Sequence, residues 1–175
     1  ISKSRQARPR ATLLPTYYLF DGPGAPLRRS LDLRGLMISV DTVPEPQRRR
    51  IRESAQNASI TLDGARDIAG LDLRSRRLRY ADFSQTVLVQ VDITGADLRG
   101  ARFDDALILL SKANKVEGEG SSFHRALLRE SSFDAGNLRS AGLEEAKVWD
   151  VTFVGASLKD ATFAKAHVAR SSLRT

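Results

Sequence analysis

The chain has 175 residues and a net charge of +7, and 41% of its residues are hydrophobic, which allows one folded domain with a buried core. It contains no cysteine, which excludes disulfides, thiolate nucleophiles and zinc–thiolate sites. The longest strongly apolar run is Leu107–Leu110, far below the roughly 20 residues that a membrane-spanning helix needs.

Residues 1–70 form a basic N-terminal region. Residues 1–60 contain 11 Lys and Arg against 5 Asp and Glu, whereas residues 61–175 contain 17 against 16. This asymmetry is typical of a basic tail or docking element, and a solvated arm explains it equally well. Pro15, Pro23 and Pro26 predict an extended, irregular arm over residues 1–27, and its apolar segment Thr16–Phe20 is expected to anchor on the rest of the domain.

Two strand-like pentapeptides and a helix follow the arm. The pentapeptides are LDLRG at 31–35 and LMISV at 36–40. A helix is predicted over about residues 46–57, because Pro and Glu near its start fit the rules for helix entry. This basic helix carries Arg48, Arg49, Arg50 and Arg52. We expect the N-terminal region to cap an open end of the domain, and a docking role is the alternative.

From residue 71 to residue 175, the sequence repeats every five residues. Large apolar residues hold 19 of 21 central positions, and the exceptions are Ala113 and Gly118. A small residue usually lies two positions earlier, on the same face of an extended segment. Helices and plain strands have other periods, so a tight turn must follow each short extended piece. Three glycines lie at the turn position: Gly95, Gly100 and Gly155.

These residues resemble the pentapeptide-repeat family, whose pattern is roughly A(D/N)LxG. The segment ADLRG at 96–100 matches completely, and VDITG at 91–95 and ADFSQ at 81–85 match nearly. The resemblance implies an all-β fold, a right-handed quadrilateral β-helix in which four pentapeptides form one coil. Residues 20 apart should then stack, which would put the rings of Phe83, Phe103 and Phe123 in one column.

Residues 111–120 (SKANKVEGEG) lack large central residues and are predicted to form an irregular segment of the β-helix. Their length of two pentapeptides preserves the register. Three interpretations stay open: a solvated loop, a binding loop, or two regular sides with a local cavity.

The 20-residue period sorts the outward residues into four sides, which we number from the pentapeptides centred on Leu73, Leu78, Phe83 and Leu88. Side four presents an apolar candidate interaction face: Val87, Val89, Leu107, Leu109, Leu110, Leu127 and Trp149. Such a patch rarely faces water, so residues 1–60, a second copy of the chain or another partner should cover it. Trp149 is the expected anchor of an intermolecular contact. Side two presents a basic column that is either solvated or bound to an acidic partner: Arg79, Arg99, Arg139 and Lys159.

Catalysis is not expected. His124 and His167 fall on different sides two coils apart, and no nucleophile–base pair, metal-ligand spacing or Gly-rich phosphate loop is found. The sequence therefore predicts no cofactor and no metal. It predicts a non-enzymatic scaffold or protein-interaction module that binds a protein partner, or forms a homodimer, through its apolar side.

Two alternatives come from the resemblance. Some family members are acidic DNA mimics that bind type II topoisomerases, but these nearly neutral repeats lack a dense negative surface. Other bacterial members carry membrane spans before repeats similar to residues 71–98, and a start at Ile1 is compatible with a domain cut from such a protein. The basic helix would then suit an anionic membrane surface, so a cytoplasmic or membrane-associated location is favoured.

Direct nucleic-acid binding is not expected, although the basic helix suggests it. No aromatic residue that could stack on a base is interleaved with Arg48–Arg50 and Arg52.

Overall fold

The computed structural model describes residues 37–38 and 43–174. Its six short strands are β1 (Met37–Ile38), β2 (Val87–Val89), β3 (Leu107–Leu109), β4 (Leu127–Arg129), β5 (Lys147–Trp149) and β6 (His167–Ala169). Two helices lie between β1 and β2, namely α1 (Glu45–Ala55) and α2 (Asp63–Arg66). The strands form one parallel sheet in chain order, and Leu88, Ile108, Leu128 and Val148 pair in succession.

The other three sides of each coil stack through isolated parallel bridges. Asp72 pairs with Asp92 on side one, Arg77 with Asp97 on side two, and Asp82 with Arg102 on side three, and the series on side one continues to Ser172. Residues 20 apart are therefore neighbours on every side, which confirms an all-β, four-sided solenoid.

Each corner is made by a residue with positive φ. Every fifth residue from Ser75 to Arg170 has a φ between 49° and 69°. Four of these residues are glycine, including the three predicted, and the others adopt the left-handed region at a cost of about 1–2 kcal/mol each. Asp at the second position of a pentapeptide supports the turn, because the Asp92 carboxylate accepts a hydrogen bond from the amide of Thr94 at 3.0 Å.

Aromatic rings stack along the interior as predicted. The ring centroids of Phe83 and Phe103 are 4.9 Å apart, as are those of Phe103 and Phe123. Phe133 meets the ring of Phe123 edge-on at 5.8 Å and lies 5.4 Å from Phe153. All five rings are buried, so each coil is locked to the next by contacts in offset or edge-on geometry.

Residues 111–120 are not irregular, so the predicted irregular segment is wrong, and of the three interpretations only the pair of regular sides agrees with the structure. They form two ordinary sides, with Lys112 bridged to Ser132 and Glu117 bridged to Asn137. The missing volume at Gly118 is supplied by its neighbours, because a Cβ there would lie 2.8 Å from Cδ2 of Leu138. Val116 and Gly136 exchange volume in the same way, since a Cβ on Gly136 would lie 3.3 Å from Cγ2 of Val116.

The helix predicted at about 46–57 lies at Glu45–Ala55, but it does not cap an end of the solenoid. Residues 43–68, which we call the cover, lie along side four, while β1 occupies the end of the sheet next to β2. The chain then rejoins the coil at Gly70, where a Cβ would sit 1.6 Å from the carbonyl oxygen of Gln90. The predictions for the arm at 1–27 and for most of 31–40 fall outside the described residues.

Candidate interaction surfaces

Side four is already covered within the chain. Val87, Val89, Leu107, Leu109 and Leu127 are buried, and Leu110 and Trp149 are partly buried. The cover contributes the matching apolar residues: Val43, Ile51, Ala55, Leu62, Ala65 and Ile68. The predicted interaction face is therefore not an open surface. Of the three predicted occupants, residues 1–60 of the same chain supply part of the cover, from residue 43 onward. Residues 61–68, which lie beyond the predicted range, supply the rest.

A buried arginine fastens the cover to side four, and it was not among the predicted residues. Arg129 donates from Nη1 to the carbonyl oxygens of Ser54 at 3.0 Å and Asn57 at 2.9 Å, and from Nη2 to that of Ile60. Its side chain is 4% exposed, and Nε lies 3.8 Å from a carboxylate oxygen of Glu130. The guanidinium thus binds the carbonyl of Ser54 in the last turn of α1, where a cation is also favoured by the helix dipole, and the carbonyls of Asn57 and Ile60 in the segment after α1.

Further polar contacts surround this arginine. The Gln90 amide donates to the carbonyl oxygen of Arg66 at 2.6 Å, and Arg66 forms an ion pair with Glu130. Lys147 Nζ donates to the side-chain oxygen of Gln56 at 3.3 Å. The cover is therefore held by an apolar centre and by polar contacts that reach the coils containing β2, β4 and β5.

The predicted basic column lies in register on side two. Arg79 and Arg99 share the carboxylate of Asp97, at 3.9 Å from Arg79 Nε and 2.6 Å from Arg99 Nη2. The hydrogen bond from Arg99 is the main cause that holds the pKa of Asp97 below its ordinary range. Arg139 and Lys159 occupy the equivalent positions two and three coils further on.

The four arginines of α1 do not form one free basic stripe. Arg48 Nε donates to the carbonyl oxygen of Val43 at 2.8 Å, and Arg49 Nε donates to Glu53 at 2.8 Å. Arg50 and Arg52 are exposed, but they are two residues apart and point to different faces of the helix.

Side three carries a ladder of alternating charges at the turn positions. Arg125 makes two hydrogen bonds of 2.7 and 2.8 Å to Asp105 one coil earlier, and Lys165 lies 3.9 Å from Glu145. These hydrogen bonds are the first cause of the lowered pKa of Asp105. Such pairs favour stacking in register, and as exposed ion pairs they contribute little individually.

Within residues 43–174, no group of three or more metal-ligating side chains is brought together. His124 and His167 remain on different sides. No helix in the described part of the chain is long and apolar enough to cross a membrane. The solenoid interior is filled by apolar side chains.

These features define a four-sided β-solenoid that carries a helical cover on one side. Residues 67–105 match the family model for pentapeptide repeats in eight copies. The pentapeptide-repeat resemblance predicted from the sequence is confirmed for residues 67–105, and the same coil geometry continues to Ser172. A search of curated proteins gives no match.

Two solved structures share this fold. Two trypsin-treated variants of QnrB1, a plasmid-mediated fluoroquinolone resistance protein, each align with a TM-score of 0.51 at 21% and 19% identity. They cover 54% of this chain and 46% and 49% of their own, so the chain spans about half the length of QnrB1. A pentapeptide-repeat protein of the Arabidopsis thaliana thylakoid lumen aligns at 23% identity over 58% of this chain and 60% of its own, with a TM-score of 0.35.

Proposed function

We propose that this chain is a non-enzymatic protein-interaction module that binds its partner through the uncovered sides one to three. The observation that carries this proposal is the intramolecular cover, which buries the apolar strip of side four and leaves the other three sides exposed. Those sides hold outward side chains on a hydrogen-bonded frame whose rows are about 4.8 Å apart. A rigid array of this kind loses little conformational entropy when a partner docks.

Site-specific photo-cross-linking in the native cell tests this proposal. A photoreactive residue replaces Ala135 on side one, Ser140 on side two or Lys165 on side three, all of which are exposed. A matched position, Gln56, lies on the cover. We expect a discrete adduct from at least one of the three sides and none from Gln56. Adducts confined to Gln56, or no adduct at any position, would contradict the proposal.

A homodimer through side four is a competing proposal, and it would require displacement of the cover. Light scattering on the wild type and on Trp149→Arg tests it, because a charge at the partly buried Trp149 should disrupt such a dimer. A monomeric mass for both proteins would rule this dimer out.

Two further functions have direct assays. DNA mimicry draws support only from the fold shared with QnrB1, and the 17 basic against 16 acidic residues of 61–175 disfavour it. Inhibition of gyrase supercoiling at low micromolar protein would overturn that judgement. Membrane attachment through α1 predicts flotation with anionic liposomes that depends on Arg50 and Arg52.

A further inference from the structure

A band of arginines surrounds an exposed tyrosine on the first coil. Residues 74–80 read RSRRLRY, and all of them except the buried Leu78 are exposed. Tyr80 is 62% exposed, whereas the phenylalanines of the described chain pack in or against the core. An aromatic ring interleaved with cations is the combination with which proteins bind single-stranded nucleic acid. This band is separate from the arginines of α1.

The ring of Tyr80 packs against the next coil, in space that is open because residue 100 is glycine. A Cβ on Gly100, the equivalent residue of the next coil, would lie 2.6 and 2.7 Å from Cδ1 and Cε1 of Tyr80. The ring therefore rests in the space that any other residue at position 100 would occupy. Gly120, one coil further, also has open space where a side chain would be, so the surface beside the Tyr80 ring is free of side chains at both glycines. A ring that is already positioned loses little entropy when a base stacks on it.

Guanidinium groups flank this ring. The Arg79 guanidinium carbon is 5.6 Å from the Tyr80 ring centroid. Arg79 and Arg99 both face the single carboxylate of Asp97, so the pair keeps a net positive charge. Guanidinium planes serve both as stacking partners for bases and as ligands for phosphate oxygens.

The positive band continues around the corner to side one. Arg74, Arg76 and Lys115 line a shallow depression there. Asp72 lies in the same depression and accepts two side-chain hydrogen bonds from Arg74, of 3.0 and 2.7 Å, so the three cations outnumber one carboxylate. The band does not continue along the rod, because the third coil of side two presents acidic residues, Glu117 and Glu119. A flexible single strand can follow such a corner, whereas duplex DNA is stiff over about 150 base pairs.

We propose that this band binds a short segment of single-stranded nucleic acid, with phosphates on the arginines and one base stacked on Tyr80. The members of the band are Arg74, Arg76, Arg77, Arg79, Tyr80, Arg99 and Lys115. This activity goes beyond the protein-interaction role, and either can fail without the other.

Fluorescence anisotropy of a labelled 12-nucleotide oligothymidylate, titrated with the full chain, tests the proposal. We expect binding in the micromolar range at moderate salt, tighter than for a duplex of equal length. Tyr80→Ala should weaken binding about 5- to 150-fold, the range for loss of one stacked base, and Tyr80→Phe should retain it. Replacing Arg77 and Arg79 together with glutamine should reduce the salt slope by about 1.4, which corresponds to two lost phosphate contacts.

Matched controls separate this site from general attraction between a basic protein and a polyanion. Arg139→Gln lies on the same side two coils beyond Arg99, and Arg50→Gln lies on α1; each should leave the affinity within about twofold of wild type. Thermal unfolding of Tyr80→Ala checks that the fold is kept. The proposal is overturned if Tyr80→Ala binds as wild type does, if the control variants lose as much affinity, if the duplex binds equally well, or if no binding occurs.

Discussion

Replacing Arg129 with methionine tests what fastens the cover to side four. Methionine keeps much of the apolar stem but loses the donors that reach the carbonyls of Ser54, Asn57 and Ile60. One hydrogen bond from a charged donor contributes about 1.5–3 kcal/mol. The three do not add fully, because the freed carbonyls can bind water and the variant no longer buries a charge. We therefore expect the free energy of unfolding to fall by about 2–4 kcal/mol.

Two probes of urea unfolding make this expectation specific. Trp149 is the only tryptophan of the chain and pairs with Arg129 across β4 and β5, so its fluorescence reports on the cover. Far-UV circular dichroism reports mainly on the coils. In Arg129→Met the fluorescence transition should move to lower urea than the dichroism transition, because the cover detaches first. The control Arg139→Met, at a partly exposed position on side two, should change stability by no more than about 0.5 kcal/mol. Coincident transitions with a loss below about 1 kcal/mol would refute the assigned role of Arg129.

Three other predictions concern the solenoid itself. Gly70→Ala should prevent correct closure of the first coil and lower the thermal midpoint sharply, because its Cβ would overlap the backbone carbonyl of Gln90. The control Gly64→Ala has open space around its Cβ and should be neutral or stabilising. Equal thermal midpoints for the two variants would contradict this. Phe103→Ala should cost about 3–5 kcal/mol in urea titration, and a cost below about 1 kcal/mol would mean that the ring stack contributes little. Acid titration followed by circular dichroism should show stability falling below about pH 4. The hydrogen bond from Arg99 lowers the folded-state pKa of Asp97 from 3.8. Carboxylates of this kind therefore stabilise the fold above that pH, and the stabilisation is lost as they are protonated. Asp97→Asn should flatten this acid dependence, and an unchanged profile would contradict the assignment.

The coil could be predicted from sequence because its geometry is local and repeated. A residue's neighbours in adjacent coils are always 20 positions away, so a column such as Phe83, Phe103 and Phe123 can be identified without coordinates. The same rule predicted turns at Gly95 and Gly100, which have φ values of 68° and 66°.

The sequence prediction was wrong where volume is shared between positions. Gly118 and Ala113 indicated an irregular segment because each central position was judged alone. In the structure Leu138 from the next coil occupies the space beside Gly118, and Val116 adds bulk where the pattern expects a small residue. Packing density depends on all the side chains around a site. A test of the central positions alone therefore misses cases in which a large residue on a neighbouring coil fills the space left by a small one.

The docking of the cover depends on contacts between segments about 70 residues apart, such as Arg129 with Asn57 and Ile60. The period predicted that side four was apolar and needed a cover, but three candidates could supply it. One signal was present in the sequence: Arg129 occupies the position held by Val89, Leu109 and Trp149 in other coils. A cation in an apolar column indicates a buried acceptor, although the period cannot identify which carbonyls provide it.

Arg129 also restricts which partners could replace the cover. A competing surface must offer apolar side chains to Leu107 and Leu127 and several acceptors to the buried guanidinium. A purely apolar partner would leave that charge buried and unpaired, at a cost of about 3–5 kcal/mol. The cover meets both requirements, because the carbonyls of Ser54 in the last turn of α1 and of Asn57 just after it form a group of acceptors that few surfaces present at one point. Side four is thereby protected from non-specific apolar contacts, and for this reason sides one to three are the surfaces on which a partner should be sought.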